Sequence, residues 1–255
     1  MTKAKIALYA AEAVLLAGSL VAGGILIKKR AELKKLEKST PELPENFTYT
    51  AHTGCMGTKA NSLDSFEAAV RNGAAVVEFD LNFTADGKAV LSHDDPVGGE
   101  ISLDEAFRKI SGYDDLLVNV DVKNTHDLAQ VRPLAEKHGI ADRIFYTGIH
   151  DGFVEAVKKD SPDVPYYLNV SVEKNTSEAY IRSLVEKVKD SGAVGINFNK
   201  KYASKALVDA FHENGLLVSV WTANNKSDIC RLLSLSPDNI TTKRPDIIKS
   251  IFEKK

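Results

Sequence analysis

Cysteine is scarce in this chain, and an excess of positive charge is missing altogether. Cys55 and Cys230 are the only cysteines in 255 residues. They lie far apart and match no metal-binding spacing, so they read as two independent thiols, which mildly favours a reducing compartment. A formal net charge of −2 provides no domain-wide basic field to neutralise phosphates, which argues against a nucleic-acid partner. No glycine-rich phosphate loop opens any helical segment, which weighs against a doubly wound nucleotide-binding sheet. No cysteine is placed to carry a lipoprotein anchor.

What is present is an ordinary globular balance, 44% hydrophobic and 27% charged, enough apolar material for a sizeable core. One stretch departs from that balance. Ile6 to Ile27 is a 22-residue apolar run with a single charge, Glu12, long enough to span a bilayer core as a helix. Lys28, Lys29 and Arg30 follow where a signal peptide would present small residues for cleavage, so residues 1–27 read as an uncleaved transmembrane helix. Residues 28–46 read as a charged helical linker closed by Pro41 and Pro44. The cations after the run outnumber those before it, which favours a single-pass membrane protein with its C-terminal domain on the cytoplasmic face.

From residue 47 to 255 short apolar runs alternate with amphipathic stretches. Strands are expected at 48–52, 75–83, 117–122, 143–146, 166–170, 195–198, 217–221 and 239–242. Helices are expected at 62–72, 102–111, 127–138, 151–159, 177–191, 203–214, 226–234 and 245–253. Eight strand–helix units predict an α/β fold, a (βα)8 TIM barrel. The alternative is a doubly wound open sheet.

The most informative stretch is Val76 to Asp94. Val77, Phe79, Leu81 and Phe83 alternate with Glu78, Asp80 and Asn82, the period of a strand. Two acids two residues apart on one face need a compensating cation or proton chemistry if that face is crowded. Asp86-Gly87 is a hairpin signal, and the arm Lys88 to Ser92 reads as an addition to the second strand. A two-residue loop would set His93 opposite Asp80, and a four-residue loop opposite Glu78.

In a barrel of this kind working residues sit at the C-terminal ends of strands. Those ends carry His52 with Thr48 and Thr50, then Glu78 and Asp80, then His93 on the returning arm. Asn119, Asp121 and Lys123 follow on the third strand, Asn197 on the sixth, and Ser219 with Trp221 on the seventh. Three carboxylates, two histidines and a lysine therefore converge on one rim. An all-oxygen set without cysteine suits Mg²⁺ or Ca²⁺ better than a structural zinc. The remaining histidines (126, 138, 150 and 212) fall in helices or loops and carry no assigned role.

The segment AHTGCMGTKANSLDSFEAAVRNGAAVVEFDLNFTADGKAVLSHDD resembles the glycerophosphodiester phosphodiesterase family. So does the later order of acid-x-Lys at Asp121 and Lys123, Trp-Thr at Trp221, and Arg244-Pro245-Asp246. The resemblance implies that His52 and His93 form a general acid/base pair and that Glu78, Asp80 and Asp121 bind the divalent cation. It also implies that Lys123 meets the phosphate, that Trp221 lines the pocket near the substrate alcohol, and that Asn61 contacts substrate. The expected activity is metal-dependent hydrolysis of glycerophosphodiesters to glycerol 3-phosphate and an alcohol.

The chain departs from that family in four places. Thr53 stands where an arginine usually follows the first histidine, and Ala60 stands where a glutamate usually precedes Asn61. Asp121 replaces a glutamate, and the region after His93 is too brief for a cap subdomain. Lys59 is a candidate to replace the missing arginine. These departures keep two other readings open. One is a sphingomyelinase-D-like phospholipase D acting on lysolipids. The other is a non-catalytic, membrane-tethered binding module.

Overall fold

The computed structural model describes residues 43–174 and 177–253. Eight parallel strands form its centre: β1 (Thr48–Ala51), β2 (Val76–Phe83), β4 (Leu117–Val122), β5 (Ile144–Ile149), β6 (Tyr166–Asn169), β7 (Gly195–Asn199), β8 (Leu217–Trp221) and β9 (Asn239–Thr242). Each pairs with its sequence neighbour, and β1 pairs with both β9 and β2, so the parallel sheet closes into a barrel. The strand β3 (Ala89–Leu91) pairs antiparallel with the far end of β2 and is not a stave. A (βα)8 barrel is the architecture the alternation predicted.

Helices cover the outside: α1 (Leu63–Arg71), α2 (Leu103–Ile110), α3 (Val131–Lys137), α4 (Asp151–Asp160), α5 (Glu178–Ser191), α6 (Lys205–Glu213), α7 (Lys226–Leu233) and α8 (Pro245–Phe252). Their starts follow local chemistry. Ser62, Ser102, Ser177 and Ser204 each accept a backbone N–H of the first turn, so the helices begin where a hydroxyl can cap them.

The alternation along β2 divides two environments. Phe79 points outward, with its ring centroid 5.9 Å from that of Phe66 on α1 and 6.2 Å from that of Phe107 on α2. All three rings are buried, and truncating such a ring to alanine costs about 3–5 kcal/mol. Glu78 and Asp80 point inward, where the barrel interior is polar. Asn239 donates to the hydroxyls of Thr48 and Thr50, both at 2.9 Å, and Thr147 donates to Asn119 at 2.8 Å. These bonds satisfy polar groups that would otherwise be costly to bury.

Two expected details are corrected. The hairpin after β2 pairs Leu81 with Leu91, Asn82 with Val90 and Phe83 with Ala89, a register that falls between the two anticipated. Thr84 N–H donates to Lys88 O at 3.0 Å, which leaves a three-residue loop, Ala85 to Gly87. Gly87 takes the left-handed conformation (φ 82°) that such a loop requires. A straight continuation would turn His93 toward the apolar face. Pairing instead stops once Ser92 N–H donates to Asp80 O at 3.0 Å, and the bend that follows returns His93 to the rim. The other correction is at β5, which runs three residues past its expected end at 146. Its register with β6 shifts between Tyr146 and Ile149.

The expectation of a single-pass membrane localisation is also corrected. Among the described residues no helix is long and apolar enough to cross a membrane. The expected span at 1–27, and the linker up to residue 42, lie outside the described residues.

Candidate active site

The C-terminal ends of the strands open into a cavity of about 650 Å³. Its walls carry His52, Glu78, Asp80, His93, Asp121, Lys123 and Trp221, so seven of the eight expected site residues share one pocket. Parallel pairing explains the carboxylates: Asp80 lies in register with Asp121, and Glu78 is one pleat below on the same inward face. One oxygen of each of Glu78, Asp80 and Asp121 lies within 4.8 Å of the others.

That cluster is costly in isolation. Burial, then the charges of Asp80 and Asp121, push the Glu78 carboxyl well above its ordinary range, against the opposing pull of Thr53 N–H and Lys123. Lys123 Nζ lies 2.9 Å from Asp80 and 2.6 Å from Asp121. Burial pushes its pKa down, but the two aspartates outweigh burial and hold the ammonium above its ordinary range. Three carboxylates facing one ammonium make negative charge hard to hold there without a further cation. An all-oxygen cluster with that surplus fits a divalent cation such as Mg²⁺ or Ca²⁺.

Asn61 occupies a different position from the one expected. Its side chain is turned onto the second strand: Nδ2 donates to Asp80 Oδ2 at 2.9 Å, and Oδ1 accepts Asp80 N–H at 3.0 Å. It is absent from the cavity wall. Its left-handed φ of 53°, a conformation asparagine tolerates better than most residues, sets this two-point clamp. Thr53 is likewise engaged: its hydroxyl accepts Asn61 N–H at 2.6 Å, and its own N–H donates to Glu78 Oε2 at 2.6 Å. Lys59 does not line the cavity either.

The two histidines differ in setting. His52 Nδ1 donates to the Thr53 carbonyl at 2.9 Å, because a carbonyl can only accept. Neutral His52 therefore presents Nε2 as an acceptor. Burial first, and the nearby Lys243 charge, lower the His52 pKa, although the Thr53 carbonyl opposes them. His93 is 69% exposed, and its Nδ1 donates to Asp94 Oδ1 at 2.9 Å.

Several wall residues had no assigned role. His150 directly follows β5 and stacks on Phe153, ring centroids 3.9 Å apart. Taking β5 to end at 146 had hidden Thr147, Gly148 and His150, although the strand-end rule applies to all three. Lys243 follows β9 and also lines the cavity. At the floor, Gly148 N–H and Asn197 Nδ2 both donate to Asn169 Oδ1, at 3.1 and 2.9 Å. The backbone donor thereby fixes the orientation of both amides. Asn197 Oδ1 and Trp221 Nε1 are then left buried without partners, one acceptor and one donor on adjacent strands of the same pocket.

Comparisons with known proteins bear on the family and the fold. The model of the Glycerophosphoryl diester phosphodiesterase family matches residues 48–132 and 103–247. A glycerophosphodiester phosphodiesterase of Bacillus altitudinis is 22% identical over 244 residues, covering 80% of this chain and 97% of the relative. Among solved structures, a glycerophosphodiester phosphodiesterase from Agrobacterium tumefaciens superposes with a TM-score of 0.66 at 18% identity, covering 81% of this chain and 99% of its own. An Oleispira antarctica phosphodiesterase in complex with the product sn-glycerol-3-phosphate gives 0.65 at 19% identity, covering 83% and 97%. At these identities the superpositions speak for the fold.

Proposed function

The chain belongs to the glycerophosphoryl diester phosphodiesterase family, and on that premise we propose that it hydrolyses glycerophosphodiesters to glycerol 3-phosphate and an alcohol. The observation that carries the reading is the convergence of Glu78, Asp80 and Asp121 beside His52 and His93 in one cavity. The Oleispira relative, bound to sn-glycerol-3-phosphate, supports the same substrate class.

Glu78, Asp80 and Asp121 are the residues that would hold a divalent cation. When bound, it supplies positive charge against both their surplus and the phosphate oxygens. His52 acts as the general base: Nε2 takes the proton of the attacking hydroxyl as its oxygen bonds to phosphorus. Attack by water gives glycerol 3-phosphate directly, whereas attack by a neighbouring substrate hydroxyl gives a cyclic phosphate that a second attack, by water, opens to it. The P–O bond to the departing alcohol breaks, and His93 returns a proton to that oxygen, so no charge is stranded on the alkoxide. Lys123 spends two of its three N–H bonds on Asp80 and Asp121 and has a third for a phosphate oxygen. Trp221 forms the alcohol side. Its ring stands on the cavity wall, while Nε1 itself is buried. Asn61 acts through Asp80 instead of touching substrate.

Substitution tests the assignment. His52→Ala and His93→Ala should each lower kcat for glycerophosphodiester hydrolysis by roughly 10²–10⁴-fold, with folding unchanged by circular dichroism. Full activity in both variants would refute the two-histidine assignment.

A further inference from the structure

We propose that Lys243 is a phosphate-binding residue of this site, contacting a non-bridging oxygen of the substrate; the inference rests on the phosphodiesterase reading above. Two lysines line the cavity among the described residues, Lys123 and Lys243. The first is bound to two carboxylates, so much of its charge is spent within the protein. The second has its backbone pinned and its side chain uncommitted. Lys243 N–H donates to Asn224 Oδ1 at 2.8 Å, and its carbonyl accepts Met56 N–H at 2.9 Å. Among the described residues no hydrogen bond or ion pair engages its ammonium. Arg244, its neighbour, is by contrast forked onto Asp246 at 2.9 and 2.7 Å.

Register places this lysine beside the chemistry. Ala51 pairs with Thr242, and His52 N–H donates to Thr242 O at 2.9 Å. The residues that follow, His52 and Lys243, therefore leave adjacent strand ends together. A phosphodiester carries negative charge that grows as the nucleophile adds, and a pocket holding three carboxylates repels it. An unpaired ammonium in the same cavity opposes that repulsion. The hydroxyl of Thr53 and the backbone around it are already bonded to Asn61 and Glu78. Lys59 is off the wall. Lys243 is the cation left in position.

The test uses the full-length chain with saturating Mg²⁺ or Ca²⁺ and calorimetric titration of glycerol 3-phosphate. Lys243→Met should weaken binding roughly 10- to 100-fold, the range expected for one charge-assisted hydrogen bond. Lys243→Arg should stay within a few-fold of the wild type. Lys243 is exposed, so the unfolding midpoint of Lys243→Met should not move, and its cation affinity should not fall. The proposal is overturned if Lys243→Met binds as tightly as the wild type. It is equally overturned if Lys243→Arg loses as much as Lys243→Met, or if the wild type binds no glycerol 3-phosphate. Charge-dependent binding in a wild type that hydrolyses no glycerophosphodiester would sink the hydrolytic reading and leave the lysine contact standing.

Discussion

At the scale of single residues, the side chains around Asp80 show how neighbours that need not touch substrate can control those that do. Asn61 holds both the backbone N–H and one carboxylate oxygen of Asp80, while Lys123 holds the other oxygen. Asn61→Ala should therefore free that carboxylate and weaken divalent-cation affinity by roughly 10- to 100-fold, the usual effect of removing a partner of a ligand. Titration of the variant with Mg²⁺ and Ca²⁺ measures this, and unchanged affinity would remove Asn61 from the site. The chemistry-bearing types at β1, β2 and β4 were legible in the sequence because strand period and strand ends suffice to place them. The role of Asn61 was not, since its two bonds depend on a left-handed turn. The place of Lys243 was not legible either, since it is brought beside His52 only when the barrel closes β9 against β1.

At the scale of elements, the irregular strand β5 supports the carboxylate side of the cavity. Gly148 has φ of 78°, and a Cβ there would lie 2.4 Å from Val122 O and 2.5 Å from Asp121 Oδ1. Gly148→Ala should cost about 2–4 kcal/mol by denaturant unfolding, from overpacking together with left-handed strain. It should also lower cation affinity by displacing Asp121. A variant of wild-type stability and affinity would contradict this reading. Strand limits were otherwise readable within a residue or two, because apolar runs bounded by turns mark them. The end of β5 was not, because Thr147 and Gly148 break the apolar pattern while the ladder continues.

The start of α7 makes a pH-dependent prediction on the same scale. Burial pushes the Asp228 carboxyl up, but hydrogen bonds from Lys200 and Asn225 outweigh it and hold its pKa below the ordinary value. Lys200 Nζ lies 2.5 Å from Asp228 Oδ2, and Asn225 Nδ2 donates to the same oxygen at 2.8 Å. The folded pKa lies below the unfolded one, so the stabilisation is present above the unfolded value of about 3.9 and is lost as pH falls through the folded value. Asp228→Asn should cost about 1 kcal/mol at pH 7, and that gap should close as acid denaturation proceeds below about pH 4. A gap independent of pH would show that the ion pair contributes nothing.

At the scale of the whole molecule, closure of eight strands brings together residues from Thr48 to Lys243 that no local pattern connects. The barrel was readable from its alternation and its length. The hairpin register and the amide network of Asn169 and Asn197 were not, because each is decided by contacts between separate strands. On the proposed reading this cavity hydrolyses the bond between phosphate and alcohol in a glycerophosphodiester, with Glu78, Asp80 and Asp121 holding a divalent cation. Phosphorus NMR of the full-length chain incubated with glycerophosphocholine, with and without a chelator, tests it most directly. Appearance of glycerol 3-phosphate that stops with chelator and resumes when Mg²⁺ or Ca²⁺ is restored is the predicted result. Release of phosphocholine instead, or glycerol 3-phosphate formed at the same rate with the chelator present, would contradict it.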